Sequence, residues 1–214
     1  MTRQQGLWLT AAGVAATVIV IIVLAFGYTR PPSFPSLYDD GPQIEGLVAH
    51  LDYGRQDCVS VLDVSTGVSE ELYCDSWVWA ERWDADGNLL IHAGNGHEQV
   101  WVVDPETGSV LDGVAIQDGP PPEEEGGPGT HEEPELRMRS VDGRLTLTHG
   151  SGVDAVAVID LEAPRSYTFF VYGITDDGSY AWVCDSEDRL LVASLDGTGG
   201  PWLVAEGISD PIWK

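Results

Sequence analysis

Two hydrophobic patterns divide the chain. From Leu7 to Gly27, twenty-one residues pass without a charge, centred on Val18-Ile19-Val20-Ile21-Ile22-Val23-Leu24. Roughly 20 apolar residues carry an α-helix across the hydrocarbon core of a bilayer, where all backbone hydrogen bonds close internally. Beyond residue 36 the apolar residues come instead in runs of five or six, alternating and rich in Val, Ile and Leu, separated by Asp- and Gly-containing turns. Such runs are expected to be short antiparallel strands. No segment there holds a 3.6-residue apolar period over eleven residues, so helices are not expected.

The first pattern predicts a membrane anchor over residues 7–28, preceded by a short cytoplasmic tail (1–6) and followed by a Pro-rich linker (29–35). A secretory signal has a shorter apolar core, although Ala25-Phe26-Gly27 offers small residues for cleavage. The length favours an uncleaved anchor. Charge bias between Arg3 and Arg30 is almost even. The tail is too short to fold and the rest is strongly acidic, so the reading places the N-terminus inside and the domain outside. Trp8 and Tyr28 bracket the span at interfacial depth.

The second pattern repeats. Asp-Gly pairs occur at Asp40-Gly41, Asp86-Gly87, Asp142-Gly143 and Asp177-Gly178. Each is followed by a second Asp-led turn: Asp63-Val64-Ser65-Thr66-Gly67, Asp104 to Gly108, Asp160 to Pro164, and Asp196 to Gly200. Asp-Gly supplies the positive φ of tight hairpins. Two strands lie between the turns of each unit, and a further strand follows: Glu70–Cys74, Ser109–Val114, Tyr167–Val171 and Trp202–Ala205. Strands at such even spacing imply an all-β sandwich, barrel or propeller. The closing residues Ser209 to Lys214 read as the first strand of a further unit, able to pair with unit one.

One unit carries a more specific signature. Trp83-Asp84-Ala85-Asp86-Gly87, a strand, then Trp101-Val102-Val103-Asp104-Pro105-Glu106-Thr107-Gly108 resembles the WD40-like propeller repeats of the TolB type. Unit one keeps the second half of that motif, and units three and four keep only the Asp-Gly. The resemblance covers most of residues 36–214. It implies a β-propeller-like array of about four four-stranded units, which the anchor reading places outside the cytoplasm, and propellers of this type usually serve as binding platforms. Four units are fewer than the usual six to eight. An open array, or a ring completed by a second copy in a homodimer, therefore stays open as an alternative.

Composition narrows the function. Net charge is −25 and Lys214 is the single lysine. Nucleic acid is excluded as a partner, because phosphate contacts need clustered Lys and Arg. Basic protein faces and cations suit the surface better. Residues 118–136 hold seven acids and five prolines, and read as a solvated disordered loop. Of three cysteines, Cys58 and Cys74 each lie eight residues from Thr66. Folding the hairpin there sets them opposite one another, within disulfide reach. Cys184 is expected to be a buried thiol.

No catalytic constellation is visible, and no catalytic residue, cofactor or metal ligand set is assigned. There is no nucleophile elbow or phosphate loop. His92, His97 and Glu98 surround a turn and could meet across a hairpin, but a zinc site needs three or four ligands that converge. Asp84, Asp86, Asp176 and Asp177 are fragments of a calcium loop lacking its glutamate. Weak divalent-cation capture remains an alternative there and at His131. Trp77, Trp79 and Trp83 bunch between units one and two, either as packing between units or as an aromatic surface for a sugar or peptide. The leading expectation is a non-catalytic binding or scaffold module for an envelope protein or polymer. An extracytoplasmic hydrolase or lyase with an acidic cleft, and a cation-binding ectodomain, are the alternatives.

Overall fold

A computed structural model describes residues 31–53, 57–94, 99–115 and 136–214. The expected membrane span (7–28), nearly all of the acidic loop (118–136), and His97, Glu98 and His131 lie outside these residues. Among the described residues, no helix is long and apolar enough to cross a membrane.

The fold is all-β, in four antiparallel sheets. Sheet 1 joins β1 (Leu47–Tyr53), β2 (Asp57–Asp63) and β3 (Val68–Asp75) to the last strand, β15 (Ser209–Trp213), in the order β15-β1-β2-β3. Sheet 2 is β4 (Val78–Trp83), β5 (Leu89–Ala93), β6 (Gln99–Val103) and β7 (Val110–Ala115), in chain order. Sheet 3 has three strands, β8 (Leu136–Val141), β9 (Arg144–His149) and β10 (Val156–Glu162). Sheet 4 is β11 (Phe169–Ile174), β12 (Tyr180–Asp185), β13 (Arg189–Ser194) and β14 (Trp202–Glu206). One four-residue helix, α1 (Leu37–Asp40), precedes sheet 1.

The C-terminal strand pairs with unit one as its spacing suggests: Val48 faces Trp213 and Ala49 faces Ile212. Three apolar layers bind the sheets together. Ala49, Leu51, Val59 and Val61 pack on Val78, Leu89, Ile91 and Val103, joining sheets 1 and 2. Val48 and Leu62 turn the other way, onto Trp182, Leu190, Val192 and Val204 of sheet 4. Ala181, Val183, Leu191 and Ala193 then pack on Leu145, Leu147, Val158 and Ile159 of sheet 3. Sheets 1 and 4 are thus covered on both faces, because alternate residues of their strands point to opposite sides. Among the described residues, no buried cluster joins sheet 2 to sheet 3. One edge strand from each sheet lies side by side with the next: β4 beside β15, β15 beside β11, and β11 beside β8.

Turn chemistry explains much of the repeat. Asp142 (φ 51°) and Gly143 (φ 81°) form a two-residue hairpin turn with Val141 opposite Arg144. Gly87 and Gly178 also hold positive φ in hairpin turns. Four expectations need correction. Asp40-Gly41 ends α1, and Gly41 has an ordinary negative φ because its amide caps Leu37 O rather than turning a hairpin. Asp160 lies within β10, where its carboxylate takes the Arg144 guanidinium. The run near Tyr167–Val171 starts sheet 4 rather than completing sheet 3, since Phe169 pairs with Asp185. Leu136, placed in the acidic loop, begins β8.

Candidate functional site

The disulfide Cys58–Cys74 is present, with Cα atoms 4.1 Å apart. Near the turn the hairpin pairs Asp63 with Val68 and Leu62 with Ser69. Continued unchanged, that register would set Cys58 against Tyr73. A bulge skips Leu72, between the pairs Val59–Tyr73 and Ser60–Glu71, and restores Cys74 opposite Cys58. Cys184 is a buried free thiol whose Sγ lies 3.1 Å from Ile208 O. Burial, with Asp185, Asp188 and Asp210 nearby, pushes its pKa up to about 12.

The three tryptophans do not form one surface. Trp79 pairs with His92 and Trp83 with Leu89, but a bulge between Ala80 and Arg82 places them on opposite faces of β4. Trp83 packs with the layer between sheets 1 and 2, donates to Ile212 O at 3.1 Å, and lies under the Lys214 ammonium. It is a structural residue. Trp77 stands in the turn before β4, 54 % exposed. Trp79 stacks flat on His92, with centroids 4.7 Å apart and planes 6° apart. His92 Nε2 lies 2.5 Å from a Glu81 carboxylate oxygen. His92 Nδ1 is buried and has no hydrogen-bond partner among the described residues. A carboxylate and an imidazole beside an indole therefore meet on the face of sheet 2 turned away from sheet 1. Residue spacing offers no sign of Glu81, because the bulge that places it is not encoded in a motif.

The turn aspartates are engaged by their own loops. Asp104 Oδ1 accepts the Glu106 amide and Oδ2 accepts the Thr107 hydroxyl. Asp84 accepts the amides of Asp86 and Asn88. Asp177 accepts the Thr175 hydroxyl and the Ser179 amide, and Asp196 accepts both hydroxyls of Ser194 and Thr198. These bonds favour the charged form and hold all four below the usual carboxylate range, Asp196 at about 2. Asp86 and Asp142 serve as turn residues at Gly87 and Gly143. The Asp repeat is thus accounted for by Asx-turn geometry. The one cluster of metal-spaced His, Cys, Asp or Glu among the described residues is Cys58, Glu71 and Cys74, and its sulfurs are joined to each other.

A groove of about 400 Å³ opens where the β2–β3 hairpin meets the β6–β7 turn. Leu47, Val61 and Leu72 form its floor, and Glu70, Glu71 and Glu106 stand among its walls. Gly108, from the repeat signature, lines it and lies against Leu72, where a Cβ would come within 3.5 Å of Leu72 O. The signature turn thus builds one wall of the groove.

A fourth constellation was not legible in the sequence. Asp185 is fully buried and accepts from Arg189 Nε (2.8 Å), the Tyr167 hydroxyl (2.7 Å) and the amides of Glu187 and Arg189. Burial first, then the bond to Asp185, raises the Tyr167 pKa far above its usual value. Arg189 also donates to Pro32 O at 2.8 Å and lies over the Phe34 and Tyr167 rings.

No protein-family model matches this chain, and no curated protein matches it significantly.

Proposed function

We propose that the chain is a membrane-anchored, extracytoplasmic β-propeller-like module that binds an envelope protein or polymer without catalysis. In this reading β4, β15, β11 and β8 surround a central axis, and pairing of β15 with β1 fastens the two ends of the chain. The groove between sheets 1 and 2 carries the functional part of the reading. An apolar floor with carboxylate walls suits a Lys or Arg side chain, whose stem packs on leucine while its charge meets glutamate. A photocrosslinking residue at Glu70, in native membranes, should yield one reproducible adduct whose contact segment is basic. Adducts no more abundant than those from fully exposed Val153 would refute the reading.

A second reading, a hydrolase or lyase, is favoured by the Glu81–His92 pair beside Trp79. Substrate turnover by the purified protein that disappears in His92→Gln would replace the first reading with the second.

A further inference from the structure

The segment between the proposed anchor and sheet 1 is bolted to the domain. Pro32 O accepts from Arg189, Leu203 donates to Pro35 O at 2.8 Å, and Ser36 bridges Leu203 in parallel. Phe34 packs against the layer between sheets 3 and 4, and Leu37 enters the layer between sheets 4 and 1. The chain therefore wraps the outer edge of sheet 4, with Pro32 at the rim where sheets 3 and 4 meet. The turn Pro164–Tyr167 stands at the same rim, since the Tyr167 ring lies beneath Arg189.

In the sequence only Thr29, Arg30 and Pro31 separate Tyr28 from Pro32. That length of chain reaches at most about 14 Å. Charge is distributed to match. Residues 37–115 carry sixteen acids and two arginines, whereas residues 136–208 carry eleven acids and five arginines, including exposed Arg165 in the rim turn. The half of the chain that holds sheets 3 and 4 is the less repelled by phosphate headgroups.

We propose that the domain is held at the bilayer in one orientation, with the rim of sheets 3 and 4 against the phospholipid headgroups and sheet 2 pointing away. This rests on the anchor reading. The headgroup layer is the partner that the short connection dictates. The basic groove ligand would then approach from the side away from the membrane, because the groove lies at the junction of sheets 1 and 2, across the proposed ring from the junction of sheets 3 and 4.

The test uses the full chain in phosphatidylcholine nanodiscs containing a headgroup-labelled acceptor lipid. One cysteine is added at a time, at Ser166 in the rim turn or Ser109 in the β6–β7 turn of sheet 2, and carries a donor dye. With Cys58 and Cys74 bridged and Cys184 buried, the added thiol is the reactive one. Energy transfer should be several-fold stronger from Ser166→Cys than from Ser109→Cys. A flexible Gly-Ser insert of about ten residues between Arg30 and Pro31 should erase that difference without touching the fold. Equal transfer from both sites in the uninserted chain, with the protein retained in the lipid fraction, overturns the orientation and leaves the anchor standing. Loss of the protein from the lipid fraction overturns both.

Discussion

Replacing Arg189 with methionine keeps most of the apolar stem and deletes the guanidinium. The Asp185 carboxylate, 0 % exposed, then keeps the Tyr167 hydroxyl and two amides but loses its counter-ion. Breaking a buried pair by removing one member costs about 3–5 kcal/mol, because the remaining charge stays out of water. The bond to Pro32 O and the cation–π contacts with Phe34 and Tyr167 are lost as well, which places R189M toward the upper end. For a domain of this size each kcal/mol lowers Tm by roughly 2–4 °C, so a fall of about 8–20 °C is expected. D185N/R189M should be more stable than R189M alone. Asparagine Oδ1 can still accept the Glu187 and Arg189 amides that Asp185 Oδ1 takes, and no buried charge remains. Urea unfolding of residues 31–214, followed by tryptophan fluorescence, gives both numbers. A cost below about 1 kcal/mol for R189M, or a double variant no better than R189M, would refute the view that a paired, buried charge fastens the linker to sheet 4.

Other consequences are open to direct measurement. Removing the bridge as C58S/C74S opens a loop of sequence separation 16 and should cost about 3 kcal/mol by the chain-entropy relation, read as a lower urea midpoint. Gly143→Val forces a β-branched residue into positive φ and should cost at least about 1–2 kcal/mol, whereas the same change at a strand position would not carry that strain. His50 is buried with Nε2 2.9 Å from Ser69 Oγ, and burial lowers its pKa below 6.5. The unfolded chain therefore binds the proton more readily, so stability should be flat above pH 6.5 and fall as pH drops below it. His50→Gln should flatten that slope between pH 7.5 and 5.5, and an unchanged slope would contradict the assignment. Asp196 has the same sign in a lower pH range: its contribution is complete above its unfolded value of 3.8 and is lost as pH falls through about 2.

The sequence was most informative where chemistry is local. Asp142-Gly143, Asp86-Gly87 and Asp177-Gly178 demand positive φ, and the hairpins formed there. The Cys58–Cys74 bridge followed from counting outward from a turn, although the pairing depends on the Leu72 bulge, which no residue pattern announces. A bulge also divides the tryptophans, since one extra residue in β4 sends Trp79 and Trp83 to opposite faces. The strand at Phe169–Ile174 opens sheet 4 rather than closing sheet 3, because alternation identifies a strand without naming its neighbour. The Asp185–Arg189–Tyr167–Pro32 network joins residues more than 150 positions apart, and nothing in local spacing encodes such contacts. Glu81 and His92, eleven positions apart on paired strands, were hidden for the same reason.

The central claim is that four sheets surround one axis. Nitroxide pairs at exposed positions of similar height on the edge strands test it: Arg82→Cys on β4 with Ser140→Cys on β8, and Arg82→Cys with Tyr172→Cys on β11. In a ring, β4 and β8 are neighbours while β4 and β11 stand opposite, so electron–electron dipolar spectroscopy should give the shorter distance for Arg82–Ser140. In an open array running from sheet 2 through sheets 1 and 4 to sheet 3, β8 is the strand farthest from β4. A longer Arg82–Ser140 distance would contradict the propeller-like account.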